Sequence, residues 1–158
     1  GIQARLILGM MYQKYKPDGF LYYAVTRWRE GTIGAAPRRN TPMKNAPCTN
    51  WTGNSFCLFN GDGLLFYPGE KQILPSLRLK LLRDGMEDAL YFQLLEKALA
   101  NSTNMSAEWR ARATAEVQIE PSLVKSLKEF TEDQNVLETK RLRLANLLDE
   151  FEETKRRQ

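Results

Sequence analysis

The sequence predicts an α/β fold, and two patterns support this fold class. Residues 20–25 and 63–67 are uninterrupted apolar runs of strand length, as in strands that a parallel sheet covers on both faces. Segments with helical periodicity precede the first run and follow the second, and this alternation is typical of parallel βαβ units. Two strands cannot form a stable sheet alone, so we expect further strands to complete it.

The predicted helices are marked by apolar residues at spacings of three and four. The first covers residues 2–15 and stops before Pro17 and Gly19. The longest covers residues 76–100, with Pro75 expected at its first position because a helix start leaves that amide hydrogen unpaired. Its expected buried stripe comprises Leu77, Leu81, Leu82, Met86, Leu90, Leu94 and Leu95. Further helices are predicted around residues 107–117, 121–130 and 136–155.

Three features predict how these helices pack. Gly85 lies in mid-helix, where glycine costs roughly 0.5–1 kcal/mol relative to alanine, so we expect a neighbouring backbone to approach it closely. Charged residues at helical spacing predict ion pairs that fix the orientation of the long helix; they are Arg83, Asp84, Glu87 and Asp88. The last helix is expected to direct five apolar residues inwards: Leu137, Leu144, Leu147, Leu148 and Phe151.

Composition excludes several classes of function. The chain contains 0 histidines, which removes the usual general base at neutral pH and the commonest zinc ligand. Triad hydrolases and zinc hydrolases are therefore excluded for this chain. No apolar run approaches the roughly 20 residues that cross a bilayer, so no membrane partner is expected. The net charge of +4 reflects a basic loop within residues 27–44, but no nucleic-acid-binding motif accompanies it, and a solvated loop is expected.

The cysteines and the glycosylation sequons bear on localisation. Cys48 and Cys57 could close a disulfide, and their spacing matches no metal-ligand pattern, so no metal or other cofactor is expected. N-x-[ST] sequons occur at Asn50, Asn101 and Asn104, each in a stretch with loop composition. These features favour a secretory route in a eukaryote. The alternative, chance sequons and two reduced thiols in a cytoplasmic protein, stays open.

Three segments occur in a specific order. The first is DGFLYY at residues 18–23 with Trp28, the second is NGDGLLFYPG at residues 60–69, and the third is SLRLKLLRDGMED at residues 76–88. Each alone is common, but together they resemble the end of the catalytic domain of glycoside hydrolase family 123. The closing helix, with residues 139–145, is similar to the last helix of that domain.

The resemblance implies the C-terminal portion of a (β/α)8 barrel followed by terminal α-helices. Residues 1–100 would supply the last strand and helix units, and residues 101–158 a helical segment packing on the barrel. The family releases N-acetylgalactosamine from β-linked glycans, using the acetamido group of the substrate as nucleophile and an adjacent Asp-Glu pair. That pair is expected upstream of this chain, in the remainder of the barrel. We therefore assign no catalytic residue here and expect this chain alone to be inactive.

Substrate-binding residues are expected where barrel strands end, because active sites of such barrels lie at that face. Trp28 follows the first apolar run and Tyr67 closes the second, so both could stack on sugar rings. Arg78, in the first turn of the long helix, could bind a glycan hydroxyl or hold a carboxylate of the site. Two other acidic pairs are expected to be structural: Asp149-Glu150 on a solvated helix face, and Glu132-Asp133 at a turn or cap.

Three hypotheses about function remain at this point. The first is part of a glycosidase with a carbohydrate substrate. The second is a non-catalytic carbohydrate-binding or scaffold protein derived from the barrel. The third is a helical interaction module formed by the terminal helices, whose apolar stripes and mixed charges suit packing against a partner. The sequence does not fix the oligomeric state.

Overall fold

A computed structural model describes residues 2–23, 25, 65–68 and 72–157. These residues belong to two compact units. The first combines Gly1–Asp18 with Leu81–Gln158, and the second is Gly19–Lys80. Trp28, Cys48, Asn50 and Cys57 lie outside the described residues. The predicted domain boundary after residue 100 stays a prediction.

The predicted N-terminal helix is confirmed, with one unexpected turn. It consists of α1 (Ile2–Leu6), a π-helical turn (Ile7–Met11) and α2 (Tyr12–Tyr15). It ends at Lys16, which adopts a left-handed conformation (φ 47°, ψ 53°) and donates its backbone N–H to the Tyr12 carbonyl at 2.8 Å. A left-handed residue after the last turn is a common way to satisfy terminal carbonyls.

Three further helices complete the first unit: α3 (Leu77–Ala100), which begins in the second unit, α4 (Ala107–Glu116) and α5 (Gln134–Arg156). Ser106 caps α4 by accepting the N–H of Trp109, and Asp133 caps α5 by accepting that of Asn135. Trp109 is buried at the centre of the core, where its indole N–H donates to the Leu147 carbonyl at 3.1 Å. The core is therefore built from all of these helices.

The helix predicted around residues 121–130 is wrong. This segment forms turns closed by an antiparallel bridge between Val124 and Phe130. The hydroxyl of Ser126 accepts the backbone N–H groups of Lys128 and Glu129, at 3.2 and 3.0 Å. Such local side-chain bonds offer the backbone an alternative to the helix. Leu123 and Val124 are nevertheless buried, although the segment that contains them is a turn and a bridge and not a helix.

The predicted buried stripe of α3 is only partly correct. Leu82 and Leu95 are buried, but four of the other leucines and methionines are exposed: Leu77, Met86, Leu90 and Leu94. The buried face instead contains small residues and one carboxylate; it comprises Leu82, Gly85, Asp88, Ala89, Phe92, Leu95 and Ala98. Packing follows this face because a β-carbon built on Gly85 would lie 2.3 Å from the Arg5 carbonyl oxygen, so α1 and α3 touch backbone to backbone. The close approach expected at Gly85 is thus confirmed.

The second unit contains a short hairpin that the sequence did not predict, and it corrects the expected position of Pro75. Strand β1 (Phe66–Pro68) pairs antiparallel with β2 (Ile73–Pro75). Only four residues connect the two strands, and such a short connection suits an antiparallel hairpin. Pro75 ends β2, and Ser76 rather than Pro75 begins the helix, because its hydroxyl accepts the N–H of Leu79 at 3.1 Å.

The apolar run at residues 20–25 does not form the predicted buried strand in the residues described. Residues 20–23 and 25 have no strand conformation, and Leu21 is 93% exposed. An apolar run is buried as a strand only when neighbouring strands and covering helices are present. The composition of the run does not show whether those neighbours exist. The described chain is therefore mostly helical with a small amount of β-structure, which agrees with α/β content, while the barrel portion stays a prediction. None of the described helices combines the length and apolarity of a membrane span.

Replacement of Gly85 tests the close contact between α1 and α3. We expect Gly85→Ala to destabilise the fold by about 1–3 kcal/mol, because overpacking outweighs the gain in helix propensity. Urea unfolding measures the difference. Gly19→Ala is the control, since a β-carbon there meets nothing within 4 Å and should change stability by less than about 0.5 kcal/mol. Equal stability of both variants would contradict the backbone contact.

Candidate functional site

The predicted sugar-binding residues lie in or beside the second unit. Tyr67 is the middle residue of β1, opposite Leu74, and Arg78 is the second residue of α3. Arg78 is partly buried and engaged in an interaction within the structure. Trp28 lies outside the described residues, so the convergence of these three side chains stays a prediction.

Backbone hydrogen bonds bring three distant segments of the second unit together. The carbonyl of Val25 accepts the N–H groups of Leu65 and Phe66, at 3.1 and 3.4 Å. The carbonyl of Leu65 in turn accepts the N–H of Ser76 at 2.8 Å. Leu65 is buried at this junction. The end of the first apolar run therefore lies beside the start of β1 and the N-terminus of α3, where Arg78 follows.

The remaining sequence-predicted sites are partly described. Asn101 and Asn104 lie in the exposed turn between α3 and α4, and the Asn101 amide donates to the Lys97 carbonyl at 2.8 Å. Their glycosylation, and with it that of Asn50, stays a prediction, as does a disulfide between Cys48 and Cys57. No cluster of three or more metal-ligating side chains occurs among the residues that the structure covers.

The two acidic pairs have the structural roles expected of them. Glu150 is exposed on α5 and accepts two hydrogen bonds from Arg112, at 3.0 and 2.6 Å. The hydrogen bonds from Arg112 hold the pKa of Glu150 below its ordinary value, so the carboxylate remains charged. Asp133 is the N-cap of α5. Both pairs are thus placed for helix stability and surface charge.

The strongest electrostatic feature is an ion cluster centred on Asp88. This carboxylate is 1% exposed and accepts hydrogen bonds from Nε and Nη2 of Arg5, at 2.6 and 3.0 Å. Nε of Arg141 also donates to it, while Nη2 of Arg141 donates to the Asp84 carbonyl at 2.6 Å. Arg5 makes a further hydrogen bond to Glu138. The cluster therefore joins α1, α3 and α5 at one point.

The contacts within the cluster shift the pKa values of Arg5 and Glu138. Burial alone would lower the pKa of Arg5, but its hydrogen bonds to Asp88 and Glu138 raise that pKa above its ordinary value. The hydrogen bond from Arg5 is the main cause that lowers the pKa of Glu138. Asp88 accepts hydrogen bonds from guanidinium groups of two other helices, so it holds the helices together.

A second buried charge lies on α5. Lys140 is fully buried, and its Nζ reaches the Gln118 carbonyl at 2.9 Å, Glu116 at 3.0 Å and Glu120 at 3.2 Å. The same ammonium lies 5.9 Å from the centroid of the Phe92 ring. These contacts fix α5 to the end of α4 and to the chain that follows it.

Sequence reasoning missed Arg5, Glu138, Lys140 and Arg141. A signal was present for two of them: Arg5 falls on the same helix face as Gly9, and Lys140 interrupts the apolar stripe between Leu137 and Leu144. A charged residue inside an apolar stripe is rarely buried unless it is paired. The stripe therefore predicts a buried ion pair, although not its partner.

Comparison with known proteins identifies the family. Residues 2–95 match the model described as glycoside hydrolase 123, catalytic domain. The chain belongs to glycoside hydrolase family 123. No curated protein and no solved structure matched it. The part that matches the family 123 domain includes Arg5 and Asp88 but not Glu138 or Arg141, so the ion cluster connects the family domain with the helices that follow it.

Replacement of the central carboxylate tests the role of the cluster. We expect Asp88→Asn to destabilise the family 123 domain by about 3–5 kcal/mol, because it leaves buried guanidinium groups without their counter-charge. Chemical denaturation followed by circular dichroism measures the loss of stability. If Asp88→Asn does not fold at all, its loss of stability exceeds that of the control. Asp84→Asn is the control, since its ion pair with the exposed Arg83 should contribute less than about 1 kcal/mol. Similar losses in both variants would contradict a central role for Asp88.

The pH dependence of stability tests Glu138. Its pKa is below the ordinary value of about 4.5 in the folded state, so its stabilising contribution is complete above pH 4.5 and is lost as pH falls through the lowered pKa. We expect Glu138→Gln to be less stable than the parent at pH 7 and to lose less stability between pH 5 and pH 3. Urea unfolding at several pH values measures both. Parallel pH curves for parent and variant would contradict the assignment.

Proposed function

We propose that this chain supplies the last strand and helix units of a (β/α)8-barrel glycosidase that acts on β-linked N-acetylhexosamine glycans of the N-acetylgalactosamine type. The match of residues 2–95 to the family 123 catalytic domain carries the proposal. The order of the three sequence segments at residues 18–28, 60–69 and 76–88 supports it. In a barrel these segments would be joined by strands that lie upstream in the protein.

The proposed reaction is hydrolysis assisted by the substrate. The acetamido oxygen of the sugar attacks the anomeric carbon as the glycosidic C–O bond breaks, and one carboxylate of an adjacent Asp-Glu pair orients the acetamido group. The other carboxyl group protonates the departing oxygen and then accepts a proton from the water that opens the cyclic intermediate. We place that pair upstream of this chain. Support comes from Asp149-Glu150, the adjacent pair in that order within this sequence, because Glu150 is bound to Arg112 on a helix surface.

In this proposal the chain contributes one wall of the sugar site. Trp28 and Tyr67 would stack on the apolar faces of sugar rings, and Arg78 would bind a hydroxyl or hold a carboxylate of the site. The bonds among Val25, Leu65 and Ser76 support this arrangement, since they join the segments that lead to these residues.

A non-catalytic carbohydrate-binding or scaffold protein is a second candidate. In the described part of the chain, the carboxylates of Asp88, Glu138 and Glu150 each accept a hydrogen bond from an arginine. Carboxylates engaged in this way have a structural role, which supports this candidate. If the complete gene encodes an adjacent acidic pair upstream of this chain, the first proposal is favoured. The absence of such a pair favours the second.

Hydrolysis assays test the proposal directly. The product of the complete gene should release the aglycone from an aryl β-N-acetylgalactosaminide, whereas residues 1–158 alone should not, because the acid and base are upstream. Activity of residues 1–158 alone would contradict the placement of the carboxylates. Binding of N-acetylgalactosamine by the complete protein without hydrolysis would support the second candidate.

Arginine variants of the complete protein separate substrate binding from helix stability. Arg78→Ala should lower kcat/KM by about 10- to 100-fold, the effect of losing a hydrogen bond to a charged group. Arg83→Ala, on the exposed side of the same helix, is the matched control and should stay within about twofold of the parent.

A further inference from the structure

An open groove lies in the first unit, where the last turns of α3 and α5 flank the connection from α3 to α4. Its volume is about 640 Å³, within the range of about 300–1,000 Å³ that is typical of small-molecule sites. Its lining includes apolar residues (Ala98, Met105, Leu148 and Phe151) and charged residues (Lys97, Glu152 and Lys155). The groove therefore combines apolar surface with hydrogen-bond donors.

Two glycosylation sequons meet at this groove. They are NST at residues 101–103 and NMS at residues 104–106, and the asparagine of each is exposed and lines the groove. Neither asparagine has a role in the proposed glycosidase site, whose expected residues lie in or beside the second unit. A glycan attached to either asparagine would therefore start at the rim of the groove.

The contacts of the two asparagines favour Asn101 as the attachment site. The side-chain amide of Asn101 donates to the Lys97 carbonyl at 2.8 Å, which holds it over the last turn of α3. An amide nitrogen has two hydrogens, so it can lose one to a glycan and still donate the other. Asn104 is engaged in an interaction within the structure, and Ser106 of its sequon caps α4, whereas Thr103 of the first sequon is exposed. Use of Asn101 thus leaves these contacts in place.

The groove has the chemistry to hold the first sugar of such a glycan, an N-acetylglucosamine. The ring of Phe151 is stacked on Trp109, with centroids 5.7 Å apart, so it offers a fixed aromatic surface to the apolar face of a sugar. The ammonium groups of Lys97 and Lys155 make no ion pair or hydrogen bond among the described residues. They can therefore donate to sugar hydroxyls and to the acetamido carbonyl.

We propose that Asn101 carries an N-linked glycan whose first N-acetylglucosamine lies in this groove. In the attachment step, the Asn101 amide nitrogen forms a bond to the anomeric carbon of a lipid-linked oligosaccharide diphosphate. The bond from that carbon to the diphosphate breaks, the diphosphate keeps the electron pair, and the amide loses one proton. The inference goes beyond the proposed function, because this sugar is attached to the protein and is not its substrate.

Peptide mapping of the complete protein, made in the secretory pathway of a eukaryotic host, tests the attachment site. Trypsin releases residues 98–110, which contain both sequons, and fragmentation of this peptide should place a glycan on Asn101. Asn101→Gln should lose that glycan, whereas the matched control Asn104→Gln should keep it. A peptide without a glycan, or with a glycan on Asn104 alone, overturns the inference.

Amine labelling of the folded protein tests the location of the sugar. An endoglycosidase that cleaves between the first two sugars leaves one N-acetylglucosamine on Asn101, and Asn101→Gln from the same host is the unglycosylated reference. Lys97 and Lys155 should react with acetic anhydride about three- to tenfold more slowly in the trimmed protein, the effect of one hydrogen bond to each ammonium. Lys128, which is exposed in the turns of residues 121–130, is the control and should react equally in both proteins.

Equal rates for Lys97 and Lys155 in the two proteins overturn the inference. Parent protein made in bacteria is a second unglycosylated reference with Asn101 intact, and it replaces Asn101→Gln if that variant does not fold. The outcome is independent of the glycosidase assay. A complete protein that hydrolyses the N-acetylgalactosaminide but has no glycan on Asn101 keeps the proposed function and loses this inference.

Discussion

The fold of the first unit depends on one buried carboxylate. Asp88 has two oxygens, and two arginines from opposite ends of the chain, Arg5 and Arg141, donate to them. A carboxylate removed from water is stable only when it is paired and hydrogen-bonded, so the position of each arginine is coupled to that of the other. Helices that are distant in sequence thereby acquire one defined arrangement.

Small residues make this pairing geometrically accessible. Gly85 and Gly9 allow the N-terminal helix to approach α3 so closely that a β-carbon on Gly9 would lie 3.1 Å from that of Asp88. The guanidinium of Arg5 can therefore reach the carboxylate with two donors. The second buried charge, on Lys140, fixes α5 independently through Glu116 and Glu120. Ionic contacts thus act together with the hydrophobic core in holding these helices in place.

Apart from residues 121–130, the sequence predicts the helices well because their signals are local. The periodicity of residues 2–15, 76–100 and 136–155 locates helices within one or two residues of their observed ends. Which side of a helix is buried is less local: the leucines of α3 suggested one face, and Gly85 with Asp88 selected another. Strands were predicted least well, since pairing of β1 with β2 depends on connection length and an apolar run does not reveal its neighbour. Of the candidate site, residue types could be proposed from the family resemblance, but their convergence depends on contacts between distant segments.

The π-helical turn at Ile7–Met11 has a consequence for length variation in this protein. Such a turn accommodates one residue more than an α-helical turn, and the helix continues on both sides of it. Deleting one residue there would restore regular winding but rotate everything beyond it by about 100°. Gln13 would then leave Glu96 and the Val117 carbonyl, and Lys14 would leave the carbonyl of Lys125. The extra residue thus sets the register in which the N-terminal helix contacts the rest of its unit, so the length of this stretch is constrained as well as its side chains.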